Sequence, residues 1–536
     1  MSDESSMTIS SVAQSLKSVS KLLSDEGLTK KASLNAVASL LDYAVRLLVG
    51  FFLTPVMVVG LGNYFFGMWQ VLNRLVGYIT PASGRPTYAL KWTVANRQAS
   101  TDFDQKRRYV GSTLVISALF LPILIGIGGI VSWFVPYWVH APAEYVWIIR
   151  IVSGLLVANM IVDTFASVPQ AALQGENLSY KRMGMSALLV VVGGGATWLA
   201  LYFDTGIVGV GISVVAATGV TGLFFLWVVR KYVPWFGVAR PRRAEIRQML
   251  GLSWWFMLWN LVTSLLLDSD VVVLGLLSSV ESVTNYTLTK YVPETAVGVV
   301  VIIVFGIIPG LGAIVGTKNY GKAVSLRSEI MTFVWLAVTA LGAAILLWNK
   351  VFMGLWVGSG HYSGPLPNLL IVVGAVQLVY IRSDGNFIDL TLRLSHKVLL
   401  GLLSVTISIV AASIAVGYFK LGIVGLCLGI MGGRLITSVG YPALISRFLG
   451  VSLSSQLEGT LRPALVTILL FSCAFGVDCL LPVTTWSGVA GWIGFFLLAG
   501  VTGILLLLVS FYAGLSSKQR KQVLRRFGMV LGNVPA

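Results

Sequence analysis

The chain has 536 residues, of which 56% are hydrophobic and only 11% charged, and its mean hydropathy is +0.85. Soluble domains carry about 25% charged residues, so this balance excludes an ordinary globular core and places the chain among membrane proteins. A net charge of +17 would suit nucleic acid, but the positive residues sit in short connectors between apolar runs, which argues for membrane orientation instead.

In chain order, residues 1–31 read as a polar tail, and no cleavable signal peptide is expected there. Val12, Leu16, Val19 and Leu23 recur there at helical spacing; an amphipathic helix on the inner membrane surface is one reading and a frayed tail the other. Apolar runs of about 20 residues, each able to cross roughly 30 Å of hydrocarbon, then follow. They lie at 33–60, 63–90, 109–134, 145–169, 184–203, 206–230, 250–278, 283–314, 329–348, 366–390, 398–418, 421–445, 461–482 and 487–513. The fold expected is an all-α polytopic membrane protein with about 14 transmembrane helices.

The connectors alternate in character. "NRQASTDFDQKRRY", "NLSYKR", "RKYVPWFGVARPRRAEIR", "TKNYGKAVSLR", "LRLSHK" and "SKQRKQVLRR" are basic. "GLGN", "VPYWVHAPAEY", "FDTG", "LSSVES" and "LPVTTW" lack Lys and Arg, and "NKVFMGLWVGSGHYSG" and "FKLG" carry one lysine each. Positive residues stay on the cytoplasmic side, so both termini are expected there, and no nucleic-acid partner is needed to explain the charge.

The two halves echo each other. "VVGLGNY" (58–64) resembles "VVLGLLSSVESVTNY" (272–286), with Gly60 matching Gly275 at a shift of 215 and a short insertion in the second copy. "LSYK" (178–181) matches "LSHK" (394–397) at a shift of 216. The shift spans six helices, an even number, so both copies enter the membrane in the same sense. Two six-helix lobes related by pseudo-twofold symmetry about the membrane normal are expected, with a site between them, plus two extra C-terminal helices. The boundaries read 1–31 tail, 32–231 N-terminal lobe, 232–249 basic linker, 250–446 C-terminal lobe, 447–514 two added helices and 515–536 basic tail.

Charges within the spans are the candidate functional residues, because each costs about 2.5–3.5 kcal/mol at the bilayer centre on insertion scales. "LLDYAVRLL" places Asp42 and Arg46 four apart on one face, able to pair. Arg74 and Arg85 follow, the latter in "TPASGRP", where Pro81, Gly84 and Pro86 should break the helix. "TSLLLDSDVVVLGLL" carries Asp268 and Asp270, about 200° apart on a helix, so one cavity cannot receive both. "LTKYVPETA" holds Lys290 and Glu294, again four apart, and Arg382, Asp384, Arg434, Arg150 and Asp163 complete the set. The residues allow a hydrated cavity lined by guanidinium groups, which suit phosphate through paired charge-assisted bonds. They also allow purely structural pairs for Asp42–Arg46 and Lys290–Glu294, and a snorkelling Arg150. Trp356 is a candidate for contact with solute at the outer mouth, while most tryptophans read as interface anchors.

Other chemistries fail. "GTKNYGKA" (316–323) nearly fits a phosphate loop, but Ala323 stands where magnesium needs a hydroxyl and no strand precedes it. Cys427, Cys473 and Cys479 lie in apolar runs without a CxxC pair, and His140, His361 and His396 are scattered. No catalytic constellation, metal site or cofactor is expected.

"GLGNYFFGMWQVLNRLVGYITP", "VPQAALQGENLSYKR" and "DSDVVVLGLLSSVESVTNYTLTKYV" resemble Wzx-type polysaccharide flippases of the multidrug/oligosaccharidyl-lipid/polysaccharide (MOP) exporter superfamily, over nearly the whole chain. The resemblance implies a transporter rather than an enzyme, sited in the cell inner membrane. It implies export of undecaprenyl-pyrophosphate-linked oligosaccharide by alternating access through a cationic cavity. It points to Arg46, Arg74, Arg85 and Lys290 as substrate-binding, with Arg382 and Arg434 as further candidates. Asp42, Asp268, Asp270 and Glu294 become candidates for coupling a proton or sodium gradient. Partners implied are the lipid-linked glycan, membrane lipids and a polysaccharide polymerase complex. An ion-coupled multidrug exporter of the same superfamily and a non-transporting scaffold of a polysaccharide assembly complex are the alternatives.

Overall fold

The computed structural model describes residues 25–530 except 99, 179–180, 182–183, 317–319, 391–393, 453–459 and 481–485. The proposed amphipathic positions Val12, Leu16, Val19 and Leu23 fall outside the described residues, as do parts of "LSYK" and "GTKNYGKA". Among the described residues there are no strands. The helices are α1 Asp25–Gly77, α2 Pro86–Asn96, α3 Phe103–Trp138, α4 Val146–Gly175, α5 Met185–Tyr202, α6 Gly206–Tyr232, α7 Arg243–Leu277 and α8 Val280–Gly316. They continue with α9 Tyr320–Trp356, α10 Pro365–Asp389, α11 Leu394–Ser413, α12 Gly422–Leu449, α13 Leu461–Leu480, α14 Gly488–Val509 and α15 Ser517–Val530.

Thirteen segments among the described residues are long and apolar enough to cross a membrane, and the protein is a multi-pass membrane protein. The count is one below fourteen because the first two expected spans meet end to end at Gly62 in one unbroken apolar stretch. That stretch, Leu41–Gly77, has 37 residues, or ~55 Å at 1.5 Å per residue, nearly twice the hydrocarbon thickness. Gly62 divides it, at φ 70° and ψ 170°, a conformation that glycine adopts without the Cβ penalty other residues meet. The second arm stops at Gly77 rather than at residue 90. Beyond it, Pro81 starts a tight 3-10 turn over Thr80–Ser83, Gly84 turns left-handed at φ 72°, and Pro86 opens α2.

The chain divides into two compact units. Unit 1 is Met1–Gly62 with Leu75–Leu261, and unit 2 is Asn63–Arg74 with Val262–Ala536. In unit 1, α4 packs against α3 and α6, and α6 against α5. In unit 2, α10 packs against α9 and α12, and α12 against α11, the same order. A third sequence match marks this duplication: "YFDTGIVG" (202–209) and "YFKLGIVG" (418–425), again at a shift of 216. Both turns place a non-glycine residue and then a glycine at positive φ, Asp204 and Gly206 in one, Lys420 and Gly422 in the other. Both leave a Tyr-Phe pair exposed.

Residues 233–245 pack on unit 1 instead of hanging free. Val233 and Trp235 are buried in its core, Ala239 N–H donates to the Arg107 carbonyl at 3.3 Å, and Arg108 pairs with Glu245 at 2.7 Å. In unit 2, the added helices α13 and α14 pack on α9. Trp335 donates to Thr467 at 3.0 Å and Trp348 to Thr502 at 2.8 Å.

Within unit 2 the second arm of α1 lies close against the α7–α8 hairpin. Thr284 Oγ1 donates to the Asn63 carbonyl at 2.6 Å. A Cβ on Gly67 would collide with the Val280 carbonyl oxygen and Thr284 Oγ1. Backbone cannot swing aside as a side chain can, so Gly67→Ala is expected to destabilise unit 2 by about 1–3 kcal/mol. Thermal unfolding of the purified protein in detergent measures this; an unchanged midpoint would mean that the arm separates from the hairpin at no cost.

Candidate functional site

The two aspartates of α7 point to different partners, as their angular separation requires. Asp268 pairs with Arg74 on the second arm of α1, and both side chains are partly exposed, 21% and 33%. Asp270 is buried at 3%. Its carboxylate accepts from Lys290 Nζ at 2.5 Å and Tyr286 Oη at 2.6 Å, both on α8. Tyr286 and Lys290 are four residues apart, so one face of α8 presents both donors to Asp270.

The Lys290–Glu294 pair expected from the sequence is secondary. Their charged atoms are 3.9 Å apart and Glu294 is half exposed. Lys290 prefers Asp270 because a buried carboxylate needs full compensation. Arg434 on α12 is buried and donates to the Leu266 carbonyl of α7 at 2.8 Å. Asp270, Tyr286, Lys290, Glu294 and Arg434 line one cavity in unit 2, with Cys427, Met431 and Leu370 among its other walls. Of the two α7 aspartates, Asp270 lines it and Asp268 does not. Arg74 and Asp268 remain within electrostatic range of Asp270 and Lys290. Six charges thus converge, three of each sign.

Other expected pairings are corrected. Asp42 is buried and accepts from Ser186 Oγ at 2.5 Å, whereas Arg46 is exposed; the Asp42–Arg46 pair does not form, since α5 offers the acid a closer donor. Arg382 is half-buried and outside the cavity. Its neighbour Asp384 pairs with Arg327 of α9 at 2.6 Å. Trp356 is buried at 6% and packs against Tyr291 and Phe352 in tilted pairs, with ring centroids 4.5 and 5.1 Å apart, so it is core rather than a solute contact. Arg150 lies 3.8 Å over the Trp133 ring and donates to Tyr137 Oη at 3.1 Å, an aromatic cradle suited to a belt position.

In unit 1, Arg85 stands at φ 44° immediately before α2 and donates to Asn260 Oδ1 at 2.8 Å. It lines a polar pocket together with Lys91, Asp163, Ser167, Gln170 and Gln174. Of the six expected substrate-binding residues, Arg46 and Arg85 therefore belong to unit 1, and Arg74, Lys290, Arg382 and Arg434 to unit 2.

Sequence reasoning passed over Tyr286, Arg327 and Asp478. Tyr286 could have been found from its spacing to Lys290. Asp478 of α13 is buried at 1% and held by Tyr362 Oη and by Asn368 Nδ2 at 3.4 Å; its lone position in an apolar run was the available signal. Nothing in sequence pointed from Arg327 to Asp384.

The family model for "Polysaccharide biosynthesis protein" matches residues 28–315, more than half of the chain. The chain belongs to the polysaccharide biosynthesis protein family. A search of curated proteins found no match. Among solved structures, the lipid II flippase MurJ in an inward closed conformation aligns with a TM-score of 0.63 at 11% identity, over 89% of this chain and 97% of that one. An inward-facing multidrug resistance MATE family transporter of the MOP superfamily aligns at 0.61 and 18% identity, over 77% and 98%. A MOP superfamily transporter from Pyrococcus furiosus, described as having a binding pocket of reverse polarity that suggests a different function, aligns at 0.52 and 17%, over 79% and 97%. Identities this low speak for the fold alone. This family member has the MOP-superfamily fold, in agreement with the Wzx-type resemblance.

Proposed function

We propose that this family member is a flippase that carries undecaprenyl-pyrophosphate-linked oligosaccharide from the cytoplasmic to the outer leaflet of the cell inner membrane by alternating access, with both termini cytoplasmic. The observation that carries this reading is the partly exposed Arg74–Asp268 pair beside the buried Asp270–Lys290–Tyr286 group. An arginine in a membrane segment must be compensated at all times. Asp268 compensates Arg74 when no substrate is present. A diphosphate can replace that carboxylate, because the guanidinium fork donates to two oxygens of either group. The displaced carboxylate then becomes available to a proton or sodium ion, which would couple transport to a gradient.

An exporter of cationic drugs needs an acidic surplus. The unit 2 cavity sets two cations, Lys290 and Arg434, against two acids, Asp270 and Glu294, which leaves a cationic drug no such surplus. A polysaccharide polymerase complex would receive the exported product.

The test is translocation of lipid-linked glycan in reconstituted vesicles. Arg74→Ala combined with Arg85→Ala should abolish it, with the protein still inserted and monodisperse; normal flipping by that double variant would remove the basis for this proposal.

A further inference from the structure

We infer that the polar pocket of unit 1 is a docking site for the diphosphate and first sugar of the substrate, at the end of the unit expected to face the cytoplasm. This rests on the flippase reading above. One wall is built for phosphate. Arg85 is a non-glycine residue in the left-handed region, φ 44° and ψ 42°, a conformation kept only where surroundings enforce it. Its Nη2 is occupied by Asn260, while its buried Nε has no hydrogen-bond partner. The N-terminus of the eleven-residue α2 adds a positive dipole end, and Lys91 lines the same pocket.

The facing wall is built for hydroxyl groups. Asp163, Ser167, Gln170 and Gln174 all line the pocket, at successive spacings of four, three and four residues. That is one continuous polar stripe on α4. Within a membrane helix such a stripe is costly unless it meets water or a polar ligand. The carboxylate accepts, and the amide and hydroxyl side chains both donate and accept, the mixture that the hydroxyls of a sugar ring demand. Tyr88, 44% exposed and with Arg85 5.5 Å over its ring, offers a flat apolar face on which a sugar can lie.

The duplication provides an internal control. At the shift of 216, Asp163 corresponds to Val379 and Gln174 to Leu390, whereas Ser167 and Gln170 keep polar counterparts in Ser383 and Asn386. In unit 2, Val379 belongs to one apolar cluster and Leu390 packs against it. The shared fold therefore does not require the two ends of this stripe to be polar, and unit 1 carries them as Asp163 and Gln174.

The experiment measures equilibrium binding of water-soluble farnesyl diphosphate probes to the full-length protein in detergent, with the phosphate bearing glucose, galactose or N-acetylglucosamine in separate probes, or no sugar. At least one sugar-bearing probe should bind five-fold or more tighter than farnesyl diphosphate itself. Asp163→Val with Gln174→Leu, the unit 2 residues, should erase that increment, and the milder Asp163→Asn should halve it at least, with melting temperatures confirming the fold. Arg85→Gln should weaken all probes ten-fold or more. Failure of every sugar-bearing probe to exceed farnesyl diphosphate, or unchanged binding in these variants, would overturn the docking site. Vesicle translocation by the wild type reports separately: flipping without this binding pattern overturns only the docking site, and binding without flipping overturns only the flippase reading.

Discussion

Lys290→Met is expected to be the most damaging single substitution in unit 2. It removes the ammonium 2.5 Å from Asp270, whose residue is only 3% exposed. The carboxylate would keep Tyr286 at 2.6 Å but lose its opposite charge. Breaking one partner of a buried pair typically costs about 3–5 kcal/mol, because the remaining charge is left uncompensated, whereas replacing both can be nearly neutral. Lys290→Met should therefore lower the unfolding midpoint strongly and reduce flipping to background. Asp270→Asn with Lys290→Met should recover most of the stability and none of the transport. The decisive readout is this split between a detergent melting curve and vesicle translocation. If the single variant melts like wild type, Asp270 does not depend on Lys290; if the double variant transports, the pair is structural only.

Asp268→Asn should behave in the opposite way. The Arg74–Asp268 side chains are 33% and 21% exposed, and partly hydrated ion pairs contribute only about 0–1 kcal/mol. Stability should therefore shift by no more than about 1 kcal/mol. Transport should fall at least ten-fold, because Arg74 without its resident carboxylate holds the diphosphate instead of exchanging it. Pyrophosphate binding to the purified protein should tighten in the same variant. A variant that binds pyrophosphate no better than wild type and still transports normally would exclude carboxylate–diphosphate exchange.

The helical segments were largely legible because the bilayer imposes a simple rule: a run of apolar residues long enough to cross must satisfy its backbone internally. From residue 103 onward, the expected spans coincide with α3 to α14 within their ends. Before it, "GLGN" read as a connector between two spans, and helical geometry does break there, at Gly62. What hydropathy missed is the end of the second span, at Gly77 rather than residue 90: it records where the chain is apolar, not where prolines and glycines turn it. The duplication was readable from short matches, and the strongest, "YFDTGIVG" with "YFKLGIVG", lay in connectors considered only for their charge.

The candidate site was readable as a set of residue types but not as a set of pairs. Spacing along one helix suggested Asp42 with Arg46 and Lys290 with Glu294, because sequence exposes only neighbours on the same helix. The acids chose otherwise: Asp42 takes Ser186, Asp270 takes Lys290 and Tyr286, and Asp268 takes Arg74, which is 194 residues away in sequence. The sequence by itself determined a multi-pass helical membrane protein, its internal repeat, and which costly charges its membrane segments carry. Only the tertiary structure decided which charges compensate one another. In a low-dielectric interior a carboxylate is settled by the donor that comes closest to it, and helix packing decides which donor that is.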